Sequence, residues 1–460
     1  MIQSLLLLPI VVSPVQDEIP QVLIWRKEVA PNVMYRHEVR VNPPLQIFAV
    51  RFPYPHENIK IEAGLSADKV FQAQGSSSET VSSIARRKNA IAAINGDFFG
   101  VQGDAIGAFI SNGHLIGEPA SRRSVAAFTD DAVIFDRPRF EASVNWMGRT
   151  QFVNGVNRVA GKSEVVVFSH LGGVARSSEP SLMLVFQGSD NDALTLGKKT
   201  LSLKHFFLDR TTLTVQQGEI IVVVGQGRQS AFLDDLCHGL MKQVNMNFIG
   251  SFDWGGVKHA ISGGPWLVKD GKVSLNPESE GVTSTFAKTK APRTGIGKTA
   301  EGEVFLVVVD GRSPLSAGAT LEEFATILVQ MGCVEAINLD GGGSSALYLL
   351  GNIMNRPSDG TERRVANALL LYAPEGGYAV DQYSIESRHE TLKPGDQTTL
   401  RVLDSAGNQV PNADVLWVCN SRLAWIDQGG KLTALREGTV RVDARVRGVI
   451  TSKNFQIVKP

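Results

Sequence analysis

The stretch Thr320–Ser345, TLEEFATILVQMGCVEAINLDGGGSS, carries a helix, a strand and a polar loop in one line of chain. Thr320 followed three residues on by Glu323 is a capping-box pair. Phe324, Ile327, Leu328 and Met331 then recur along one helical face, and Gly332 supplies the stop. Glu335–Leu339 reads as a strand that delivers Asn338 and Asp340 to its end, before the turn Gly341-Gly342-Gly343-Ser344-Ser345.

The same grammar occurs earlier in the chain. A helix expected over Glu79–Lys88, with Ser76 and Glu79 as a capping box, leads into Ala90–Ile94 and then Asn95-Gly96-Asp97-Phe98-Phe99. Both segments contain Ala-Ile-Asn-x-Asp. Alternation along a strand puts Asn95 with Asp97, and Asn338 with Asp340, on common faces, so two strand ends could converge on one cleft. A further helix is expected near Ala231–Met241, with Phe232, Leu233, Leu236 and Leu240 on one side. Strands are expected at Leu45–Arg51, Val165–Phe168, Leu182–Phe186, Ile220–Val224, Val304–Val309 and Ala368–Tyr372. Together these elements predict an α+β domain, a mixed β-sheet with flanking helices, over residues 21–374.

After Pro374-Glu375-Gly376-Gly377 the pattern changes to alternating residues with turns at Lys393-Pro394-Gly395-Asp396, Ser405-Ala406-Gly407-Asn408 and Gly429-Gly430. Residues 380–460 therefore read as a small all-β immunoglobulin-like sandwich. At the other end, Leu5–Val15 is apolar, is too short to span a bilayer, and fits the core of a signal peptide over residues 1–20. No lysine or arginine precedes it, and a hydrophobic N-terminal strand is the alternative. The signal reading implies a secreted or cell-envelope protein with no membrane span after its removal. In the 460-residue chain, 46 Lys and Arg balance 46 Asp and Glu, which argues against nucleic acid as a partner. The three cysteines, Cys237, Cys333 and Cys419, are too dispersed for a metal knuckle or a disulfide framework and read as ordinary thiols.

Polar, glycine-rich clusters punctuate the large domain: Asn95-Gly96-Asp97, Ser262-Gly263-Gly264-Pro265, Arg293-Thr294-Gly295, Asp310-Gly311-Arg312 and Asn338–Ser344. Glycine lets backbone amides approach a phosphate closely, and arginine can clamp its oxygens in bidentate fashion. Asp97, Asp310 and Asp340 supply candidates for nucleophile, base or metal ligand. Ser344 has no G-x-S-x-G elbow around it, and Pro292–Thr299 only imitates a P-loop, because a β-rich run follows it instead of a helix.

Taken in order, Asn95–Phe99, Gly263-Gly264-Pro265 with Asp270-Gly271-Lys272, Arg293-Thr294 before Asp310-Gly311-Arg312, Asn338–Ser344, and Asn355-Arg356-Pro357 with Arg364 and Val365 resemble the signature of the phosphodiester glycosidase family. The animal member of that family removes N-acetylglucosamine capping mannose 6-phosphate. The resemblance implies cleavage of a sugar joined through its anomeric carbon to a phosphodiester, in a capped phosphoglycan, an exopolysaccharide or a cell-wall polymer. On this reading Asp97, Asp310 and Asp340 serve the sugar. Arg293, Arg312 and the amides of Gly263, Gly264, Gly341, Gly342 and Gly343 bind phosphate. Asn95, Thr294, Asn338, Ser344 and Arg364 orient them or touch substrate. No cofactor is required, although Ca2+ or Mg2+ held by the aspartates would instead make a metal-assisted phosphodiesterase. The tail, with Leu392–Gly395, Val415-Leu416-Trp417 and Gly430–Val440, resembles bacterial immunoglobulin-like domains, which implies contact with a cell wall or glycan. A non-catalytic glycan-binding protein is the third alternative.

Overall fold

The computed structural model describes residues 22–71, 79–100, 104–120, 122–188, 194–233, 236, 241–374, 381–419 and 421–459. The signal-like stretch, Ser76, Cys237 and Gly376-Gly377 lie outside the described residues.

Strand dominates, at 53% against 11% helix, so the α+β expectation gives way to a mostly β architecture of several antiparallel sheets. The apolar runs over Leu45–Pro53, Val165–Ser169, Glu219–Val224, Glu303–Val309 and Asn367–Tyr372 are all strands. The helices are short. The first is Val81–Arg87, capped by Thr80, whose side chain accepts from the Ser83 amide. Of the helix expected at Ala231–Met241, the described part is one turn, Ser230–Leu233, and Met241 opens a strand that runs to Ile249. Phe232 is buried against Trp146 and Leu236 packs on the same core, whereas Leu233 is 42% exposed; Leu240 lies outside the described residues. The helix Leu321–Gln330 has the reciprocal Thr320–Glu323 capping box, worth about 1 kcal/mol. Gly332 follows it in the left-handed region, at φ +91°.

Two sheets position the strand ends of interest. An eight-stranded antiparallel sheet runs in the order Val22–Ala30, Val33–Arg40, Leu45–Pro53, Glu303–Val309, Arg293–Thr299, Cys333–Asn338, Trp266–Lys269, Lys272–Val273. The P-loop lookalike is thus the strand Arg293–Thr299. A five-stranded sheet runs Asn352–Ile353, Leu347–Leu349, Ala92–Asn95, Asn367–Tyr372, Lys60–Leu65. Val50, Phe52, Ile296, Leu306 and Ile337 of the first share one apolar core with Ile61, Ile94, Leu347, Leu369 and Leu371 of the second. The Cys333–Asn338 and Ala92–Asn95 strands therefore end beside each other across a common core.

A second eight-stranded sheet, with the long strands Val174–Gly188 and Gly197–Thr214, buries both faces. Among its pairings only the short Gly155–Val156 contact with Val165–Ser169 is parallel, so this sheet is mixed, although almost wholly antiparallel. The tail forms two four-stranded sheets around Trp417, Leu432, Val440 and Phe455. It packs on the large domain: Lys27 is buried and its ammonium donates to the carbonyls of Asn412 and Val415. Desolvation there pulls the Lys27 pKa down to about 7. Among the described residues no helix is long and apolar enough to cross a membrane. Cys333 and Cys419 are free thiols.

Candidate active site

The two Asn-x-Asp strand ends meet. The Asp340 amide donates to the Gly96 carbonyl (2.9 Å), and Asn95 Nδ2 donates back to the Asp340 carbonyl (2.6 Å). Asn95 Oδ1 accepts from Thr294 Oγ1 (2.9 Å) and the Ala346 amide (3.2 Å), so one fully buried asparagine fastens three segments. Asn338 does similar work on the neighbouring loop, donating to the carbonyls of Gly264 (2.9 Å) and Leu339 (2.7 Å). Its Oδ1 has no partner. Thr294 Oγ1 also lies 3.1 Å from Ser345 Oγ, from which it can accept. Asn95, Asn338 and Thr294 are thus pins of the site, with their polar atoms turned into the protein.

The carboxylates differ in exposure. Asp97 is 1% exposed and accepts from the amides of Phe98 (2.7 Å) and Gly107 (2.8 Å), with Arg123 at 3.4 Å. Burial pushes its pKa up to about 7, against the pull of Arg123 and the two amides. Asp340 is partly exposed; burial lifts it to about 6, opposed by Ser344, the Gly341 amide, Arg363 and Arg123. Asp97 and Asp340 sense each other's charge, and Arg123 acts on both. Burial thus raises both carboxyls toward neutrality, the direction that suits acid and base roles in one site.

Arg123 and Arg363 were not singled out from sequence. Arg123 lies over the Phe98 ring at 4.6 Å, and its signal was the aromatic pair in Asn-Gly-Asp-Phe-Phe. Arg363 pairs with Asp359 (2.6 Å) and reaches Ser344 Oγ (3.5 Å). The expectation named its neighbour Arg364, which instead sits on the exposed strand pairing with Thr80. Ser344 is 1% exposed and bonds to Asp340.

Other expected site groups have partners within the protein. Asp310 is 3% exposed, and its carboxylate is taken up by Asn355 Nδ2 (3.0 Å) and the Arg356 amide (2.9 Å), so it fastens the Asn355–Arg356 turn. Arg293 is 1% exposed and donates to the carbonyls of Ala319, Phe286 and Thr289, which makes it a buried staple beside Arg312. The glycine amides are mostly engaged: Gly263 with Ser124, Gly264 with Asn338, Gly342 with Pro292, and Gly341 with the Asp340 carboxylate. Gly343 fits a different need, since a Cβ there would collide with the Asp359–Arg363 pair. Arg312, by contrast, is exposed and holds φ +58°, a left-handed conformation costing about 1–3 kcal/mol in a non-glycine residue.

Several polar residues of the segments 149–161 and 278–290 hold neighbouring parts of the fold. Asn157 bonds to Ile116 and Ser169, and Arg158 to Glu118 and Glu164. Glu280 is buried and holds Ser124, Trp266 and Arg137. Among the described residues no three His, Cys, Asp or Glu side chains are grouped to hold a metal ion.

Residues 197–372 match the family model described as Phosphodiester glycosidase, and residues 379–452 match that of the Bacterial Ig-like domain (group 2). The first match takes in Arg312, Asp340 and Arg363; Asp97 and Arg123 precede it and join them only in space. The SPbeta prophage-derived uncharacterized protein YomE of Bacillus subtilis (strain 168) is 38% identical over 120 residues, 26% of this chain and 18% of that protein. N-acetylglucosamine-1-phosphodiester alpha-N-acetylglucosaminidase of Mus musculus is 32% identical over 130 residues, 25% of each chain. The aligned region thus spans a quarter or less of these relatives. Two solved structures share the fold. A hypothetical protein from Synechocystis superposes with TM-score 0.63 at 22% identity, over 76% of this chain and 64% of that one. A putative exported protein from Burkholderia pseudomallei K96243 gives 0.59 at 20% identity, over 72% and 74%.

Proposed function

From a chain that carries a phosphodiester glycosidase domain followed by a C-terminal bacterial Ig-like domain, we propose an enzyme that hydrolyses the bond between a sugar's anomeric carbon and a phosphodiester. The observation that carries this reading is the meeting of the two strand ends that bear Asp97 and Asp340, joined through the Asp340 amide and the Gly96 carbonyl, with Arg123 and Arg363 acting on the carboxylates. Asp340, the partly exposed member, faces the sugar. Its carboxylate meets the positive charge that grows on the anomeric carbon as the C–O bond breaks. Asp97 lies beneath, orients Arg123 and shares its charge state with Asp340. Arg123 and Arg363 take the negative charge of the departing phosphate monoester. Phosphate leaves readily, so no strong acid need protonate it. Water supplies the oxygen that bonds to the anomeric carbon, and its proton passes to the carboxylate pair.

By analogy with the mammalian relative, N-acetylglucosamine is the sugar to test first. We place the protein outside the cytoplasm on the signal-like N-terminus, to be checked by fractionating cells that express the full chain. The enzymatic test is incubation with defined glycosyl phosphodiesters in 18O-labelled water, with and without chelator. Free sugar carrying the label, with chelator present, is expected. Label in phosphate, or no sugar released from any substrate, overturns the reading.

A further inference from the structure

The stretch Asn355–Arg363 ties the acid pair to the C-terminal domain. At its start, the Arg356 amide holds Asp310, while its guanidinium donates to the carbonyls of Ala424 (3.1 Å) and Arg422 (3.4 Å) in the tail. In its middle, Gly360 stands at φ +93° with the Arg422 guanidinium so close that a Cβ would collide with it. Two residues before, Ser358 lies 3.5 Å from Arg312 Nη1. At its end, Arg363 reaches Ser344, the partner of Asp340. One short turn therefore has an arginine of the tail against it and two arginines of the candidate site on or beside it.

Arg312, Arg363 and Arg422 are all exposed. Arg363 has Asp359 as its ion pair, whereas among the described residues Arg312 and Arg422 have no carboxylate within ion-pair reach. A second tail arginine, Arg436, is also near: burial holds Arg356 below its usual pKa against the opposing charge of Asp310, and the like charges of Arg422 and Arg436 act in the same direction as burial. Guanidinium groups that lack an acid partner, as Arg312 and Arg422 do among the described residues, repel one another, and an anion lying along them relieves the repulsion. Arg312 lies at Ser358 and Arg422 at Gly360 of the same turn, while Arg363 lies at Ser344 beside Asp340, so a chain with more than one anionic group could meet both.

We propose that Arg422 of the Ig-like domain is a substrate-specificity residue. Together with Arg312 it binds the next phosphate of a polyanionic phosphodiester chain whose terminal sugar sits at Asp340. This rests on the glycosidase reading above. The tail is then a wall of the substrate groove, and the enzyme prefers chain-borne phosphodiesters to small ones.

The test uses the full-length protein as wild type, Arg422→Ala, Arg422→Lys and the tail control Arg401→Ala, all first compared for melting temperature. Calorimetry measures binding of poly(glycerol phosphate) chains and of glycerol phosphate. Turnover is measured on a methyl phosphodiester of N-acetylglucosamine and on the same sugar linked to the chain. Loss of one exposed arginine–phosphate contact should weaken chain binding about fivefold to tenfold at low salt, with Lys intermediate and the gap narrowing as salt rises. Binding of glycerol phosphate and kcat/KM on the methyl ester should be unchanged in every variant. Unchanged chain binding in Arg422→Ala, an equal loss on short and long ligands, or no chain binding by the wild type overturns the proposal. If the wild type binds the chain but cleaves neither substrate, the glycosidase reading fails while the binding arm still decides the role of Arg422.

Discussion

Ala93-Ile94-Asn95-Gly96-Asp97 and Ala336-Ile337-Asn338-Leu339-Asp340 share four of five residues and end neighbouring strands, yet they do opposite work. In the first, the asparagine is saturated with partners and the aspartate is sealed at 1% exposure. In the second, the asparagine keeps an unpartnered oxygen and the aspartate is partly exposed beside Ser344 and Arg363. The first copy builds the floor and the second presents the chemistry. The difference follows from context: Gly96 lets the chain turn tightly under Asn367 and Ile261, where a Cβ would collide, whereas Leu339 is a core residue that anchors its copy in the shared apolar cluster. Local sequence sets the strand end, and the neighbours decide which carboxylate opens.

The strongest way to break the comparison is through turnover. Asp340→Asn removes the group placed against the sugar, and kcat on a glycosyl phosphodiester should fall about 1000-fold. Asp97→Asn disturbs Arg123 and the charge shared with Asp340 without removing a group that touches the sugar, so a loss of about 10–100-fold is expected, with the acidic limb of the pH–rate profile displaced. Equal losses with unshifted profiles would erase the distinction.

Stability sharpens the same contrast. Asn95→Ala leaves the Asp340 carbonyl, the Ala346 amide and Thr294 Oγ1 each short of a partner, and should cost about 3 kcal/mol. Asn338→Ala removes bonds to two carbonyls and also an already orphaned oxygen, so about 1 kcal/mol is expected. Urea denaturation of the two variants checks the order, and the reverse order would show that the floor lies under the other strand.

How much of this was legible in the chain depends on distance. The Thr320–Glu323 cap, the stop at Gly332 and the apolar strands are local, and they stand as read. The convergence of the two aspartates was also readable, because alternation fixes which side chains share a strand face. The α+β balance was not: Ser230–Leu233 has helical periodicity for a single turn, and an apolar run looks the same to a periodicity argument whether a sheet or a helix buries it. Asp310 and Arg293 sit in motifs that resemble a site, but their partners, Asn355, Arg356, Ala319 and Phe286, lie 7 to 46 residues away. Nothing local announces which arginine will be a staple and which a ligand. Arg363 lies just before the two-residue strand Arg364–Val365, and the pairing of Arg364 with Thr80 separates the two neighbours.

The smallest effect concerns pH. Folding raises Asp97 to about 7 and Asp340 to about 6 from an ordinary value near 3.8, so between roughly pH 4 and 7 the folded state holds more protons than the unfolded chain. Their combined contribution to stability is therefore greatest at the acid end of that window and declines as pH rises through it. Other groups slope the opposite way. Glu38 and Glu79 are held below their usual pKa by arginine, and His37 and His259 are pulled to about 4 by burial, so all four favour the folded state as pH rises. A melting curve of the wild type mixes these slopes. The difference between wild type and Asp97→Asn or Asp340→Asn cancels the groups common to both proteins. Each variant should gain on the wild type by about 3 °C between pH 5 and pH 7. The gain should be larger for Asp97, the more deeply buried of the two. A flat difference for both would mean that neither carboxyl is protonated in the folded protein near neutrality, and that the two strand ends differ in exposure but not in charge.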